Sequence, residues 1–151
     1  MEFFEVIKKR HCTRSFDPKK PVSEADIAKI IDAGKRAPSA GGIYPVEFAV
    51  IKDRLIKEKL APTMEFVAEA PVVIAVYADV EKTAARYSQR GKELYVIQDG
   101  AAAAENIFLA AVALGLDACW VGAFDENGVR EALNLNKNER PLTIMPIGYK
   151  K

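Results

Sequence analysis

Apolar side chains recur at steps of three and four along Leu94, Ile97, Ala101, Ala104, Phe108, Ala111 and Leu114. That spacing predicts a helix. From Ile107 to Leu116 no charged or amide side chain interrupts it. A helix that is apolar on every face is buried on all sides. Its alanines let neighbouring backbones approach closely, which makes it the central helix of a domain or of a dimer. Gly115 is placed to end it, because glycine takes the left-handed cap conformation at little cost. Ala118 to Val121 then reads as a short buried strand, and Gly122-Ala123 as a turn with free amides.

The rest of the chain is organised around this stretch. Glu2 to Lys9 reads as a short helix with Phe3, Phe4, Val6 and Ile7 on its apolar side. Pro18 and Pro21 mark a loop. Ser23, with Asp26 three residues on, caps a helix buried by Ile27, Ile30 and Ile31. Ala37 to Pro45 is a turn-rich loop, and Val46 to Lys52 a buried strand. Asp53 to Leu60 is a short helix, and Thr63 caps another short piece that stops before Pro71. Val72 to Ala78, all apolar, is the clearest strand. Asp79 to Gly91 is polar and in part helical. Asp125 caps a helix through Leu133, and Pro141 precedes a last strand, Leu142 to Tyr149. About four strands interleave with helices without a regular alternation. The expected fold is therefore α+β, a small, mainly antiparallel sheet flanked by helices around the central one.

Composition narrows the function classes. A chain of 151 residues is one domain, 1–151, and long enough for a proper core. A formal charge of +1 without a basic block argues against nucleic acid as partner. No run of 18 apolar residues is present, so no membrane span is expected. Cys12 and Cys119 stand far apart in sequence and read as thiols in a reducing cytoplasm. A single histidine and no metal-ligand spacing leave no metal site to expect.

Three segments carry candidate chemistry. In Arg10-His11-Cys12-Thr13-Arg14, two guanidinium groups flank a ring and a thiol, a set suited to a phosphate or a delocalised anion. A solvated basic patch at a helix end has the same composition. Pro38-Ser39-Ala40-Gly41-Gly42 allows a ligand close to the backbone, as does Gly122-Ala123. Either could equally be an ordinary connection. No strand leads into GxGxxG and no Walker sequence occurs, so neither standard dinucleotide nor P-loop binding is indicated.

Taken in order, these motifs resemble the nitroreductase family of FMN-dependent oxidoreductases. RHCTRSFD is similar to its N-terminal flavin motif, and APSAGGIYPVEF to its PSxxN-x-QP loop and following strand. GLDACWVGAFD is similar to the segment at the flavin's redox edge, and IMPIGYK to the terminal strand. The resemblance implies FMN at the interface of a homodimer. Arg10 and Cys12 would hold the phosphate with His11 beside it, and Arg14 would face the pyrimidine edge of the ring. Pro38, Ser39, Ala40 and Gly41 would reach the same FMN from the partner subunit. The catalytic groups would be the amides of Gly122 and Ala123, near flavin N5. The chain departs from the family at Cys12, where serine is usual, and at Gly42 and Tyr44, where asparagine and glutamine are common. It also lacks the family's C-terminal extension, which only Lys150 and Lys151 could replace as phosphate contacts. The implied activity is hydride transfer from NADH or NADPH through FMN to a nitroaromatic, quinone or enone acceptor, by a ping-pong mechanism. A non-catalytic flavin-binding module and a specialised flavin oxidation, such as peptide azoline dehydrogenation, are the alternatives.

Overall fold

The computed structural model describes residues 1–151. Its sheet has four strands, β1 (Val46–Ile51), β2 (Val72–Asp79), β3 (Asp117–Ala118) and β4 (Glu139–Gly148), in the order β1-β2-β4-β3. Every neighbouring pair is antiparallel. Seven helices surround it: α1 (Phe3–Lys9), α2 (Glu24–Lys35), α3 (Arg54–Leu60), α4 (Glu65–Glu69), α5 (Val80–Arg90), α6 (Val96–Ala113) and α7 (Glu126–Ala132).

The continuous apolar run of β2 has a direct cause. The strand is central, so both of its faces are buried. Val72, Ile74 and Val76 pack with Ile30 of α2 and with Ile107 and Phe108 of α6. Val73 and Ala75 point the other way, into a second core with Leu60, Val67 and Val129 of α3, α4 and α7. The domain is thus a sheet between two helical layers.

Local signals set most of the helix ends. The Ser23 hydroxyl oxygen accepts the Asp26 N–H at 3.1 Å and its proton goes to the Asp26 carboxylate at 2.8 Å, the expected cap of α2. Asp53 and Asp125 cap α3 and α7 in the same manner. Gly115 has φ +77°, the Leu116 N–H reaches back to the Ala111 carbonyl at 2.9 Å and the Gly115 N–H to Val112 at 3.0 Å. That pair of bonds is the glycine-dependent stop expected for the central helix. Gly34 matters for a different reason. A Cβ there would sit 2.9 Å from Ile107 Cγ1 and 3.0 Å from the Phe48 ring, so its absence lets α2 close onto α6.

Four local expectations are corrected. Met64, not Thr63, flanks α4: the Met64 N–H closes a tight turn onto the Ala61 carbonyl, and its own carbonyl accepts the first helical bond from Val67. Pro141 lies inside β4 and not before it. A register shift opposite Val76 and Tyr77 relieves the ladder there, so a residue without N–H is tolerated. The strand expected over Ala118–Val121 is split into β3 and a separate bridge from Val121 to Ile144. The central helix is also covered incompletely: Ile107, Phe108, Ala111 and Val112 are buried, but Ile97 and Ala113 are exposed and Leu109 half-buried.

The polar segment after β2 forms α5, which turns back at Ser88, φ +49°, and leads through a wider helical turn at Gly91–Tyr95 into α6. The guanidinium of Arg86 donates to the Gly41 carbonyl at 3.1 Å, so α5 leans on the Pro38–Tyr44 loop.

Candidate functional site

The segment from Arg10 to Arg14 is extended and runs beside β3. The Thr13 N–H donates to the Ala118 carbonyl at 2.9 Å, and Cys12 pairs with Ala118 as a parallel bridge. Asp117 gathers the surroundings. Its carboxylate accepts the Thr13 hydroxyl at 2.9 Å and the Lys150 N–H at 3.3 Å, and His11 Nε2 lies 3.6 Å away. The other ring nitrogen of His11 donates to the Lys9 carbonyl at 2.9 Å. Arg10 lies with its guanidinium carbon 5.0 Å from the Phe108 ring centroid, in the range of a cation–π contact. Lys151 is taken up by Glu69, at 3.2 Å from both carboxylate oxygens, which leaves Lys150 as the terminal ammonium outside any ion pair.

Arg14 is exposed and makes no ion pair within the chain. Together with Cys119, Trp120, Gly122 and Ala123 it lines a hollow of about 230 Å³, walled on its apolar side by Met64 and Phe66. The N–H groups of Gly122 and Ala123 donate no hydrogen bond inside the protein. Nothing stands within 4 Å of the place where a Gly122 Cβ would be, so the backbone there is open to approach. The two candidate segments Arg10–Arg14 and Gly122–Ala123, more than a hundred residues apart, therefore meet at Arg14.

Cys119 is buried in the wall of this hollow. Burial pushes its thiol up to about 11, and the neighbouring Cys12 side chain adds to the shift while Arg14 opposes it. The two thiols that stand far apart in sequence are thus neighbours. In the flavin-free protein at pH 8, iodoacetamide is expected to alkylate exposed Cys12 and to leave Cys119 unmodified, because only the thiolate reacts. Labelling of Cys119 should rise only as pH approaches 11, the value to which its thiol is raised. Peptide mass mapping before and after denaturation checks this, and native labelling of Cys119 at pH 8 would contradict the assignment.

The Pro38–Gly41 segment does not line the Arg14 hollow. Only Pro38 and Ser39 of it border a separate one of about 320 Å³, with Ala37, Tyr44, Phe48 and Asp99. No sequence motif singles out Asp99. Its carboxylate is buried, 6% exposed, and holds the loop: Oδ2 accepts the Ser39 hydroxyl at 2.7 Å, and Oδ1 accepts the Ala40 N–H at 3.0 Å. A subtler signal exists. Val96, Gly100, Ala103 and Ile107 form the buried face of α6, and Asp99 is the one carboxylate among them. Met64, Phe66 and Trp120 carry no such signal, since apolar residues in short connections are ordinary.

An arginine outside any ion pair and two undonated amides thus surround an apolar-walled hollow, a set of groups that can bind an anionic or polar ligand edge. The fold that carries it is known. The model of the nitroreductase family matches residues 7–65 and 59–149. A nitroreductase-named protein of Methanothermobacter thermautotrophicus is 33% identical over 99% of this chain and 78% of its own length. A nitroreductase family protein of Clostridium novyi superposes with a TM-score of 0.90 at 32% identity, over 100% of this chain and 86% of the other. An FMN-dependent nitroreductase of Clostridium difficile superposes with a TM-score of 0.84 at 28% identity, over 98% of this chain and 87% of the other. The chain belongs to the nitroreductase family.

Proposed function

We propose that this protein is an FMN-dependent oxidoreductase that works as a homodimer, with NADH or NADPH as electron donor and an oxidised small molecule as acceptor. The carrying observation is the hollow in which Arg14 meets the unpaired amides of Gly122 and Ala123. When bound, FMN would supply a two-electron carrier between NAD(P)H and a nitroaromatic, quinone or enone acceptor, the two substrates reacting in ping-pong order. The chain's own groups do the rest. Arg14 is a permanent cation, and it stabilises charge that accumulates on the pyrimidine edge of a reduced ring. The Gly122 and Ala123 amides are donors that do not titrate, suited to the reactive edge of the ring. Arg10, Cys12 and Lys150 are assigned to the phosphate, with His11 beside them.

Pro38 and Ser39 border a different hollow from the one at Arg14. A single chain therefore does not enclose one ligand with both, which supports a site completed by a second copy. Apolar groups left open on α1 and α6 point the same way. Phe3 is 61% exposed and Phe4 82%, and Ile97 and Ala113 are also exposed. Such surface on a lone chain would favour association.

The test begins with the visible spectrum of the purified protein and the mass of any released flavin. The expected result is a yellow dimer by light scattering, carrying FMN and consuming NADH or NADPH steadily with menadione. A protein that takes up no FMN on reconstitution would refute the reading. Bound FMN without turnover would make it a binder and not an enzyme, and a flavin-loaded monomer would refute the shared site.

A further inference from the structure

Asp99 is a buried carboxylate side chain with no lysine, arginine or histidine paired to it. Burying an unpaired charge is costly unless several hydrogen bonds compensate. Here they do, and all come from one loop: the Ser39 hydroxyl at 2.7 Å and the Ala40 N–H at 3.0 and 3.2 Å. The Ser39 oxygen in turn accepts the Tyr44 N–H at 2.9 Å. The order of donation matters. The single proton of Ser39 is committed to Asp99, and one of its lone pairs is committed to Tyr44. Ser39 therefore has no hydrogen left to donate to a ligand. Its hydroxyl serves as a link between the α6 carboxylate and the Tyr44 backbone.

The loop so linked is an unusual one. Gly41, Gly42 and Tyr44 all have positive φ, at +61°, +66° and +53°. Glycine accepts that conformation freely, but tyrosine does not, and such strain persists only where the surroundings over-determine it. The Ser39 oxygen on the Tyr44 N–H is one such constraint. The Arg86 guanidinium on the Gly41 carbonyl is another. The result is that Tyr44, 59% exposed, stands at the rim of the hollow beside Pro38 and Ser39. The anchor sits on α6, the most deeply packed helix, so the loop inherits the rigidity of the core.

We propose that Asp99 is a positioning residue: through Ser39 it fixes the Pro38–Tyr44 loop in the conformation that receives the flavin, with the loop backbone and the Tyr44 ring, and not the Ser39 hydroxyl proton, as the presenting groups. This rests on the FMN reading above. An asparagine in its place would be nearly isosteric but would exchange one acceptor oxygen for a donor. With its amide group toward Ser39, the hydroxyl would have to accept both from that amide and from the Tyr44 N–H. With its amide group toward Ala40, two N–H donors would face each other. In either orientation the link loses its charge-assisted bond.

The test compares wild type, Asp99→Asn, Ser39→Ala and the double variant. FMN affinity is read by flavin fluorescence titration, and the melting temperature is read without flavin. Each single change is expected to raise the FMN Kd by about tenfold, the order for one charge-assisted hydrogen bond. The double variant should be no weaker than the weaker-binding single variant within about twofold, because both changes cut the same link. A merely structural carboxylate would lower the melting temperature and leave the Kd of the folded protein unchanged, which would overturn the proposal. So would additive losses. If Asp99→Asn does not fold, Ser39→Ala decides alone, since it removes only the hydroxyl, and a wild-type Kd there would be the overturning result. A wild type that binds no FMN would defeat the functional reading and this inference with it. A wild type that binds FMN beside unaffected variants would defeat only the inference.

Discussion

Arg14→Glu is expected to abolish FMN retention or to slow its reduction sharply. Arg14 is the one charged side chain lining the hollow with Gly122 and Ala123, and no carboxylate in the chain neutralises it. On the FMN reading, the substitution puts an anion beside a ring that gains negative charge, so the ground state would suffer and the reduced state would suffer more. The loss should be roughly 2–5 kcal/mol of affinity, the range for one partner removed from a desolvated charge pair. Titration with FMN and anaerobic reduction by NADPH would measure both parts. Arg10→Glu offers a contrast. Arg10 lies against Phe108 and does not line that hollow, so its loss should weaken FMN and leave riboflavin nearly untouched. If both variants bind FMN like the parent, the Arg10–Arg14 assignment is wrong.

The second large effect is on stability. Phe108→Ala should cost about 3–5 kcal/mol, the range for an aromatic removed from a packed core. Phe108 is 1% exposed and packs with Ile30, Ile74 and Met145 between α6 and the sheet. For a domain of this length the melting temperature should fall by about 6–20 °C, followed by circular dichroism or calorimetry. Phe108 is also the surface on which Arg10 rests. Any flavin affinity that survives at low temperature should therefore be reduced as well. A melting temperature within about 3 °C of the parent, well below that range, would mean that the α6 face is not the core it is taken for.

What the sequence determined by itself was governed by local rules. The Ser23, Asp53 and Asp125 caps and the Gly115 stop each need only a side chain and a backbone group a few residues apart. The apolar run of β2 announced a strand buried on both faces, because no other short element tolerates that pattern at a sheet's centre. The order of the four motifs also sufficed for the family, since each motif survives as a contiguous string. What escaped the sequence depends on distance in space. Thr63 has the side chain of a cap, yet a turn closed by Ala61 and Met64 displaced the start of α4 by one residue. Pro141 is a strand breaker by type, but the register shift opposite Val76 made room for it. Cys12 and Cys119 became neighbours only because Arg10–Arg14 pairs with β3. Asp99 and Ser39 are separated by 60 residues, and their bond exists only because the close approach of α2 to α6, permitted by the missing Cβ of Gly34, brings the loop that follows α2 over α6. Caps and strands are short-range energies that a sequence states directly, whereas the partners of Asp99 and Arg14 are set by how the layers pack, and packing is decided only when the whole chain is in place.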